Sequence, residues 1–360
     1  MKITQADIAK HLDVSRLTVN KALKNESGVS AATRLRVLEV AKELGYQASK
    51  ALPEAGVGET AVKKSGTHHQ ITLFSTMGLE SDSYWAPVIR GISSILAAEG
   101  FSLNLCFWES KENETTPFPL NFKPEEIDGI IQFGNYDAKQ MRELIATGLP
   151  IVSIDTNLNP GSEGLICDTV MNISTEPMMR LVGLLHQAGY GRIGYVSDIL
   201  GLLTMDERWL GYQQGMAAMG LEVLPEDCFF GSFEDLVREF EGTDRLNDLT
   251  AFPDVLICCN DMHAIGVKQY LMKNGIQVPA QVAITGFDNV SQAEIADLTT
   301  IAVDKEEIGK TAADLMLWRL KNLERPYRMA RLYSGELIQR GSTKRLKPEE
   351  VKHEDFSFMR

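Results

Sequence analysis

The chain lacks the sequence patterns of membrane proteins and of secreted proteins. No apolar run of about 18 residues occurs in its 360 residues, so we expect no transmembrane helix. Its five cysteines form an odd set without the C-x-x-C spacing of metal sites, which indicates reduced, mostly buried thiols in a cytoplasmic protein. The first residues are polar and lead directly into a helical pattern, so we expect no cleavable signal peptide.

Signatures of catalysis and of cofactor binding are missing as well. The sequence contains no G-x-S-x-G, H-E-x-x-H or Walker motif, so it predicts neither an enzyme nor a metal site. Residues 189–194 match G-x-G-x-x-G in form, but they follow a predicted helix and open a predicted strand. A dinucleotide site needs the reverse order, and we therefore expect no cofactor.

Charge is distributed unevenly along the chain. Up to Lys50, nine lysines and arginines stand against five aspartates and glutamates, which gives a local charge of +4. The whole chain carries −13, so the remainder carries −17. A basic head on an acidic body predicts that the head alone contacts a polyanion. The alternative is a small helical bundle with ordinary solvated faces.

The first 46 residues predict three short helices. Thr4, Ser15 and Ser30 each have a hydroxyl that can accept a bond from an orphan N–H, and each precedes apolar residues at helical spacing. A tight turn at Asp13-Val14 joins the first two helices, which predicts a helix-turn-helix. The exposed start of the second helix, Arg16-Leu17, is where base-reading side chains would lie.

Several short motifs of this head form one recognisable pattern. They are Asp7-Ile8-Ala9, Val14-Ser15, Thr18-Val19, Val29-Ser30, Thr33-Arg34 and Leu44-Gly45-Tyr46. The pattern resembles the LacI/GalR family of bacterial transcription regulators, and the resemblance extends through about residue 343. It implies a homodimer on a near-palindromic operator of double-stranded DNA. The residues that it places against DNA are Thr4, Ser15, Arg16, Leu17, Thr18, Asn20, Lys21, Ser30 and Thr33.

Residues 47–69 lose helical periodicity, which predicts a linker. Relatives usually have a hinge helix here, opened by Pro-Asn and carrying a leucine that wedges into the minor groove. This chain has Ala48-Ser49 at the opening, Pro53 inside the would-be helix and Ala55 at the wedge position. A proline costs about 3 kcal/mol in a helix interior, and a methyl group is too small to unstack a base step. Leu52 is the remaining candidate for the wedge, and a flexible tether is the alternative.

From residue 70 the pattern alternates between apolar strands and amphipathic helices. Repeated units of this length predict parallel sheets with helices on both faces. Two sets predict an α/β body of two doubly wound subdomains, similar to periplasmic binding proteins, behind a small all-α head. The predicted boundaries are 1–46 for the helix-turn-helix domain, 47–69 for the linker, 70–165 plus 302–326 for the first subdomain, 166–301 plus 327–343 for the second, and 344–360 for a charged tail.

Ligands of open α/β sheets bind beyond the carboxyl ends of the strands. This rule selects Tyr84, Trp85, Asp155, Asn260, Asp261 and Asp288 from the sequence alone. The resemblance adds Arg208, whose planar fork would grip ligand oxygens, and Phe233 as a second aromatic. Because the recognition helix lies in a separate domain, we expect loss of Arg208 to leave folding nearly intact. The alternative is that Asp261 and Asp288 cap helices and that Trp85 belongs to the core.

The sequence thus predicts a repressor of a carbohydrate-utilisation operon, controlled by a small sugar or sugar phosphate. Aromatic rings suit the apolar faces of a sugar. Purine-responsive relatives place a basic residue where this chain has Leu202-Leu203-Thr204, so a purine is disfavoured. Lys305 would suit an anionic group, unless it is solvated or paired with Asp304 or Glu306. Two other classes stay open: a regulator whose body binds a partner protein without an effector, and a solute-binding protein of a transporter.

Overall fold

The structure, a computed structural model, describes most of the body and part of the head. The described residues are 4–12, 14–23, 33, 36–37, 40–41, 68–75, 82–108, 118–119, 122–134, 136, 138–155, 166–197, 202–242, 246, 249–344 and 346. Ser30, Leu52, nearly all of the predicted linker and nearly all of the predicted tail lie outside this set. The helix cap at Ser30 and the groove wedge at Leu52 therefore stay predictions.

Two helices of the head, α1 (Gln5–Leu12) and α2 (Arg16–Leu23), pack through small apolar side chains. The hydroxyl of Ser15 accepts the N–H of Thr18 at 3.0 Å, which confirms the predicted cap of α2. The predicted cap of α1 differs in its chemistry. The carboxylate of Asp7 accepts both the N–H of Thr4, at 2.8 Å, and its hydroxyl, at 2.7 Å. The residues of the shared core are Ile8, Ala9, Val19, Ala22, Val37, Val40 and Ala41.

Strands and helices alternate from residue 70 onward, as the sequence pattern predicts. The elements are β1 (Gln70–Ser75), α3 (Asp82–Ala98), β2 (Ser102–Phe107), β3 (Gly129–Phe133), α4 (Ala138–Ala146), β4 (Ile151–Ile154), β5 (Asp168–Asn172), α5 (Thr175–Gln187), β6 (Ile193–Ser197), α6 (Leu203–Ala218), β7 (Cys228–Phe230), α7 (Phe233–Glu241), β8 (Val255–Cys258), α8 (Asp261–Lys273), β9 (Ala283–Asp288), α9 (Ser291–Ile295), β10 (Thr299–Ala302), α10 (Lys305–Lys321), β11 (Met329–Leu332) and β12 (Leu337–Ile338). None of the described helices has both the length and the apolar character of a membrane span.

The strands form two six-stranded sheets. The first has the order β11-β5-β4-β3-β1-β2 and is wholly parallel. The second has the order β12-β10-β9-β8-β6-β7 and is parallel except for β12. The chain passes between the two sheets after β5, after β10 and after β11. These two α/β subdomains behind a helical head confirm the predicted fold class.

The strand pairing corrects two of the predicted subdomain boundaries. Strand β5 pairs with β4, and β11 pairs with β5, so both belong to the first sheet. The sequence prediction assigns them to the second subdomain, because it recognises buried strands by their apolar runs. Strand β5 instead begins with Asp168, which is fully buried and bonded to the guanidinium of Arg319 at 2.5 and 2.9 Å. Arg319, which lies 151 residues further along the chain, thus makes it possible to bury the charged residue that begins this strand.

Two glycines allow the helices of the first subdomain to pack very closely. A Cβ atom at Gly91 of α3 would lie 2.1 Å from the carbonyl oxygen of Glu306. A Cβ at Gly309 of α10 would lie 2.0 Å from the carbonyl oxygen of Val88. Only residues without a side chain fit both positions, so the backbones of α3 and α10 can touch. This contact fixes the start of α10, which carries Lys305, against the first sheet.

Candidate functional site

The two subdomains meet directly beyond the carboxyl ends of their strands. Asp155 follows β4 of the first sheet, and Thr204 lies in the first turn of α6 in the second subdomain. The carboxylate of Asp155 accepts the N–H of Thr204 at 3.4 Å and also its hydroxyl. Asp155 has φ 58°, in the left-handed region, and its carbonyl accepts the hydroxyl of Ser153. The predicted residue Asp155 is therefore a contact across the cleft.

A buried ion pair lies at the base of the second subdomain's half of the cleft. One terminal nitrogen of Arg208 donates to Oδ1 of Asp288 at 2.8 Å, and the other donates to the carbonyl of Cys259 at 2.5 Å. The guanidinium carbon lies 3.9 Å from the ring centroid of Phe287, and the arginine is only 3% exposed. Burial raises the pKa of Asp288, and the charges of Arg208 and Lys305 oppose that rise.

One polar atom of this pair has no hydrogen-bond partner in the part of the chain that the structure describes. Nε of Arg208 is buried without a hydrogen-bond acceptor among the described residues. A buried N–H of a cation without an acceptor is unfavourable, so the position suits an oxygen atom supplied from outside the protein. The structure thus brings Arg208 and Asp288 together, as predicted, and it leaves one donor of Arg208 available.

Two of the predicted aromatic residues form the first subdomain's half of the cleft. Trp85 stacks on Phe133, with the ring centroids 3.9 Å apart and the planes inclined by 10°. Tyr84 contacts Trp85 edge to face at 4.8 Å. Burial raises the pKa of Tyr84, and the charge of Asp288 raises it further. Both rings are half-buried, so Trp85 is partly a core residue, as the alternative held. The third predicted aromatic residue, Phe233, packs against Gly266 of α8 in the second subdomain.

Asp261 lies inside the second subdomain and does not line the cleft. It is fully buried; Oδ2 accepts the N–H of Val290 at 2.8 Å, and Oδ1 accepts the hydroxyl of Thr300 at 2.5 Å. Burial, followed by the charge of Asp288, raises the pKa of Asp261 to about 7. The neighbouring Asn260 caps α8 by accepting the N–H of His263 at 2.9 Å. These contacts give Asp261 a structural role, although the cap of α8 is Asn260 and not the aspartate that the alternative proposed.

Lys305 makes contacts that differ from each of its predicted roles. Its ammonium donates to the carbonyl of Asp288, to that of Asn289 at 3.2 Å and to that of Val303 at 3.2 Å. The residue is 9% exposed, which excludes ordinary solvation. Glu306, one of its predicted partners, pairs with Lys310 at 3.0 Å instead.

The predicted base-reading residues lie on the surface of the head. Arg16 and Leu17 are exposed in the first turn of α2, and Leu17 is 62% exposed. An apolar side chain with this exposure suits contact with a base edge. Asn20 accepts a bond from Gln5 of α1 at 3.5 Å and so lies toward the other helix. Thr18, Lys21 and Thr33 are half-buried.

Sequence reasoning missed the role of Thr204 in the cleft. The strand-end rule selected Tyr84 and Trp85 in the first turn of α3, but it was not applied to the first turn of α6, where Thr204 lies. Applying the rule there as well finds it. No group of three or more histidine, cysteine, aspartate or glutamate side chains in the described part of the chain could hold a metal ion.

Known proteins match both the head and the body. A family model described as "Bacterial regulatory proteins, lacI family" matches residues 4–49, and one described as "Periplasmic binding protein-like domain" matches residues 182–343. The HTH-type transcriptional repressor CytR of Escherichia coli (strain K12) is 29% identical over 350 residues, which cover 95% of this chain and 97% of CytR. The repressor PurR of Vibrio parahaemolyticus serotype O3:K6 (strain RIMD 2210633) is 26% identical over 347 residues, which cover 95% of this chain and 99% of PurR. A solved complex of the transcriptional regulator CelR with cellobiose has a TM-score of 0.67 at 22% identity and covers 95% of this chain and 100% of CelR.

Proposed function

Because this chain belongs to the LacI/GalR family of bacterial transcription regulators, we propose that it represses a carbohydrate-utilisation operon and that a small sugar in its cleft controls its affinity for the operator. The regulator is a DNA-binding repressor under effector control. The sugar proposal rests on one observation: two aromatic rings, the carboxylate of Asp155 and the Arg208–Asp288 ion pair lie in the same cleft.

The chemistry of this cleft fits a ring that bears hydroxyl groups. The rings of Tyr84 and Trp85 offer apolar surface for the C–H face of a pyranose or furanose. Asp155 and Asp288 offer carboxylate oxygens to hydroxyl donors, and Nε of Arg208 offers a donor to an oxygen acceptor. A sugar hydroxyl can both donate and accept, so one ligand can use all three groups. The cellobiose in the CelR complex belongs to this chemical class.

The proposed contact with DNA uses the start of α2. Arg16 can donate two bonds to O6 and N7 of a guanine in the major groove, and the exposed Leu17 can contact a thymine methyl group. A homodimer would place one such helix on each half of a near-palindromic operator.

Exposed apolar residues give the proposed homodimer a surface to bury. Strand β2 is the edge of the first sheet, and on it Leu105 and Phe107 are 39% and 44% exposed. Ile295 of α9 in the second subdomain is 87% exposed. A second copy of the chain that covers both patches would remove them from water. Sedimentation of a Phe107→Asp variant should then show monomers where the wild type sediments as a dimer.

A thermal-shift screen of the full chain against uncharged sugars tests the effector proposal. A ligand that binds only the folded state must raise the unfolding temperature, by an amount that grows with its concentration over its Kd. We expect at least one mono- or disaccharide to do so in the wild type and to do less in Asp155→Asn. If no sugar shifts the wild type while a partner protein is retained by it, the body serves a protein partner instead.

A further inference from the structure

Lys305 reaches from one subdomain to the other at a point where the chain crosses between them. It begins α10, which packs on α3 through Gly309 and also packs on the first sheet. Its ammonium bonds the carbonyls of Asp288, the last residue of β9 in the second sheet, and of Asn289, the next residue. The third bond is to Val303, in the crossover itself. One side chain thus connects the start of α10 to the end of a strand in the other subdomain.

The ammonium of Lys305 has no proton left for a ligand. A lysine ammonium has three donors, and three backbone carbonyls receive them. Two of these carbonyls also accept a backbone N–H, that of Asp288 from Val303 at 3.4 Å and that of Val303 from Lys305 at 3.0 Å. A phosphate that bound this ammonium would have to compete with all three carbonyls for its protons. The acceptor turn is also special, since Asp288 and Asn289 have φ values of 108° and 50°. Residues other than glycine rarely adopt such angles, so the turn needs partners that hold it.

The crossover that Lys305 holds is joined to the other two crossovers by side chains. The N–H of Asp304 donates to the hydroxyl of Ser334 at 3.2 Å. That hydroxyl donates to Oδ1 of Asn172 at 2.6 Å. Asn172 is the last residue of β5, where the first connecting segment begins, and Asp304 and Ser334 lie on the other two connecting segments. A change in the angle between the subdomains must therefore bend all three segments, and Lys305 resists that bend at one of them.

The charges around the cleft disfavour an anionic ligand as well. The carboxylates of Asp155 and Asp288 face the cleft, and Asp261 lies behind them. The cations are Arg208, which bonds Asp288, and Lys305, which bonds carbonyls. A phosphate ester would meet two carboxylates, while Lys305 already bonds three carbonyls and Arg208, beside Asp288, offers only its Nε.

We propose that Lys305 is a brace between the subdomains that holds the cleft closed without a ligand, and that the cleft therefore accepts an uncharged sugar and rejects its phosphate ester. The statement about ligand class rests on the proposed sugar effector, whereas the brace does not. Lys305 acts as a positioning residue, since its ammonium touches backbone carbonyls of the protein and not the ligand.

Small-angle X-ray scattering of the ligand-free full chain tests the brace. Lys305→Met keeps the length of the side chain but removes all three donors, so we expect a larger radius of gyration than in the wild type. Lys305→Gln, which keeps an amide donor, should give an intermediate value, and it serves as the second variant if Lys305→Met does not fold. The matched control is Lys310→Met, which loses only a partly exposed pair with Glu306 on the same helix. An unchanged radius in both Lys305 variants would overturn the brace.

Thermal-shift titrations with paired probes test the ligand class. Glucose and ribose are compared with glucose 6-phosphate, ribose 5-phosphate and inorganic phosphate, on the wild type and on Lys305→Gln. The phosphorylated probes and inorganic phosphate should leave the wild-type unfolding temperature unchanged. A shift by a phosphorylated probe that disappears in Lys305→Gln would overturn the inference, because Lys305 would then bind the ligand. If no sugar of any kind shifts the wild type, the sugar proposal fails, and the scattering result alone decides the brace.

Discussion

Removing the guanidinium of Arg208 should destabilise the body strongly, because Asp288 would stay buried without its main partner. Both members of the pair are nearly inaccessible to solvent, with 3% and 9% of their side chains exposed. Breaking a buried pair by removing one partner costs about 3–5 kcal/mol. The carbonyl of Cys259 would lose its donor as well. Arg208→Met should therefore lower the unfolding free energy by about 3–5 kcal/mol, which revises the sequence-based expectation of a nearly intact fold.

The loss of unfolding free energy in Arg208→Met should be smaller at low pH than at high pH. Burial already raises the pKa of Asp288, and the charge of Arg208 opposes that rise. Without the arginine the pKa of folded Asp288 rises further above its unfolded value. A group of this kind favours folding while it is protonated, and its contribution is lost as the pH rises through the folded pKa. The difference between wild type and Arg208→Met should therefore be smaller at pH 5 than at pH 8.

Urea unfolding at these two pH values measures both effects. Adding Asp288→Asn to Arg208→Met should restore part of the stability and remove the pH dependence, because no carboxylate is left. The control is Arg238→Met, whose pair with Asp235 is exposed and adds little. A loss below about 1 kcal/mol, equal at both pH values, would show that the pair is not buried as described.

Three further changes test other parts of the account. Arg16→Ala should reduce the discrimination between bases at one position of each half-site by roughly 1–3 kcal/mol. An equal loss of affinity for every DNA sequence would show that Arg16 contacts only phosphate. Gly309→Ala should destabilise the first subdomain by about 1–3 kcal/mol, since its Cβ would lie 2.0 Å from a carbonyl oxygen of α3; Gly100→Ala meets no atom within 4 Å and controls for crowding, although its φ of 77° adds strain of its own. The raised pKa of about 7 makes Asp261 favour folding only while it is protonated, so the unfolding free energy of the wild type should fall between about pH 4 and pH 7. Asp261→Asn should reduce this fall, and an unchanged pH profile would contradict the burial of Asp261.

The sheets were predictable wherever strands consist of apolar residues. Ile71 to Phe74 and Val255 to Cys258 are largely apolar runs, and both form strands. Strand β5 was not predictable, because its buried Asp168 depends on an arginine that is distant in sequence. Local patterns carry no information about a partner that far away, so the predicted boundary between the subdomains was misplaced.

The cleft shows the same division between local and distant information. The strand-end rule identified Asp155 and Asp288, because strand order alone brings such positions together. It also selected Asp261, since position does not reveal that Val290 and Thr300 occupy both of its oxygens. Lys305 was misread for a related reason. Its acceptors are backbone carbonyls of a turn with positive φ values, and no side chain in the sequence indicates them.

The most direct test of effector control is the operator affinity of the full chain with and without its sugar. The operator is first recovered by sequencing the DNA that the purified protein retains, and the sugar is the one that raises the unfolding temperature most. We expect this sugar to change operator affinity by roughly 5–150-fold, the usual range for coupled sites, while a sugar without a thermal shift should leave it unchanged. Equal operator affinity with the cleft empty and with the cleft saturated would contradict the account.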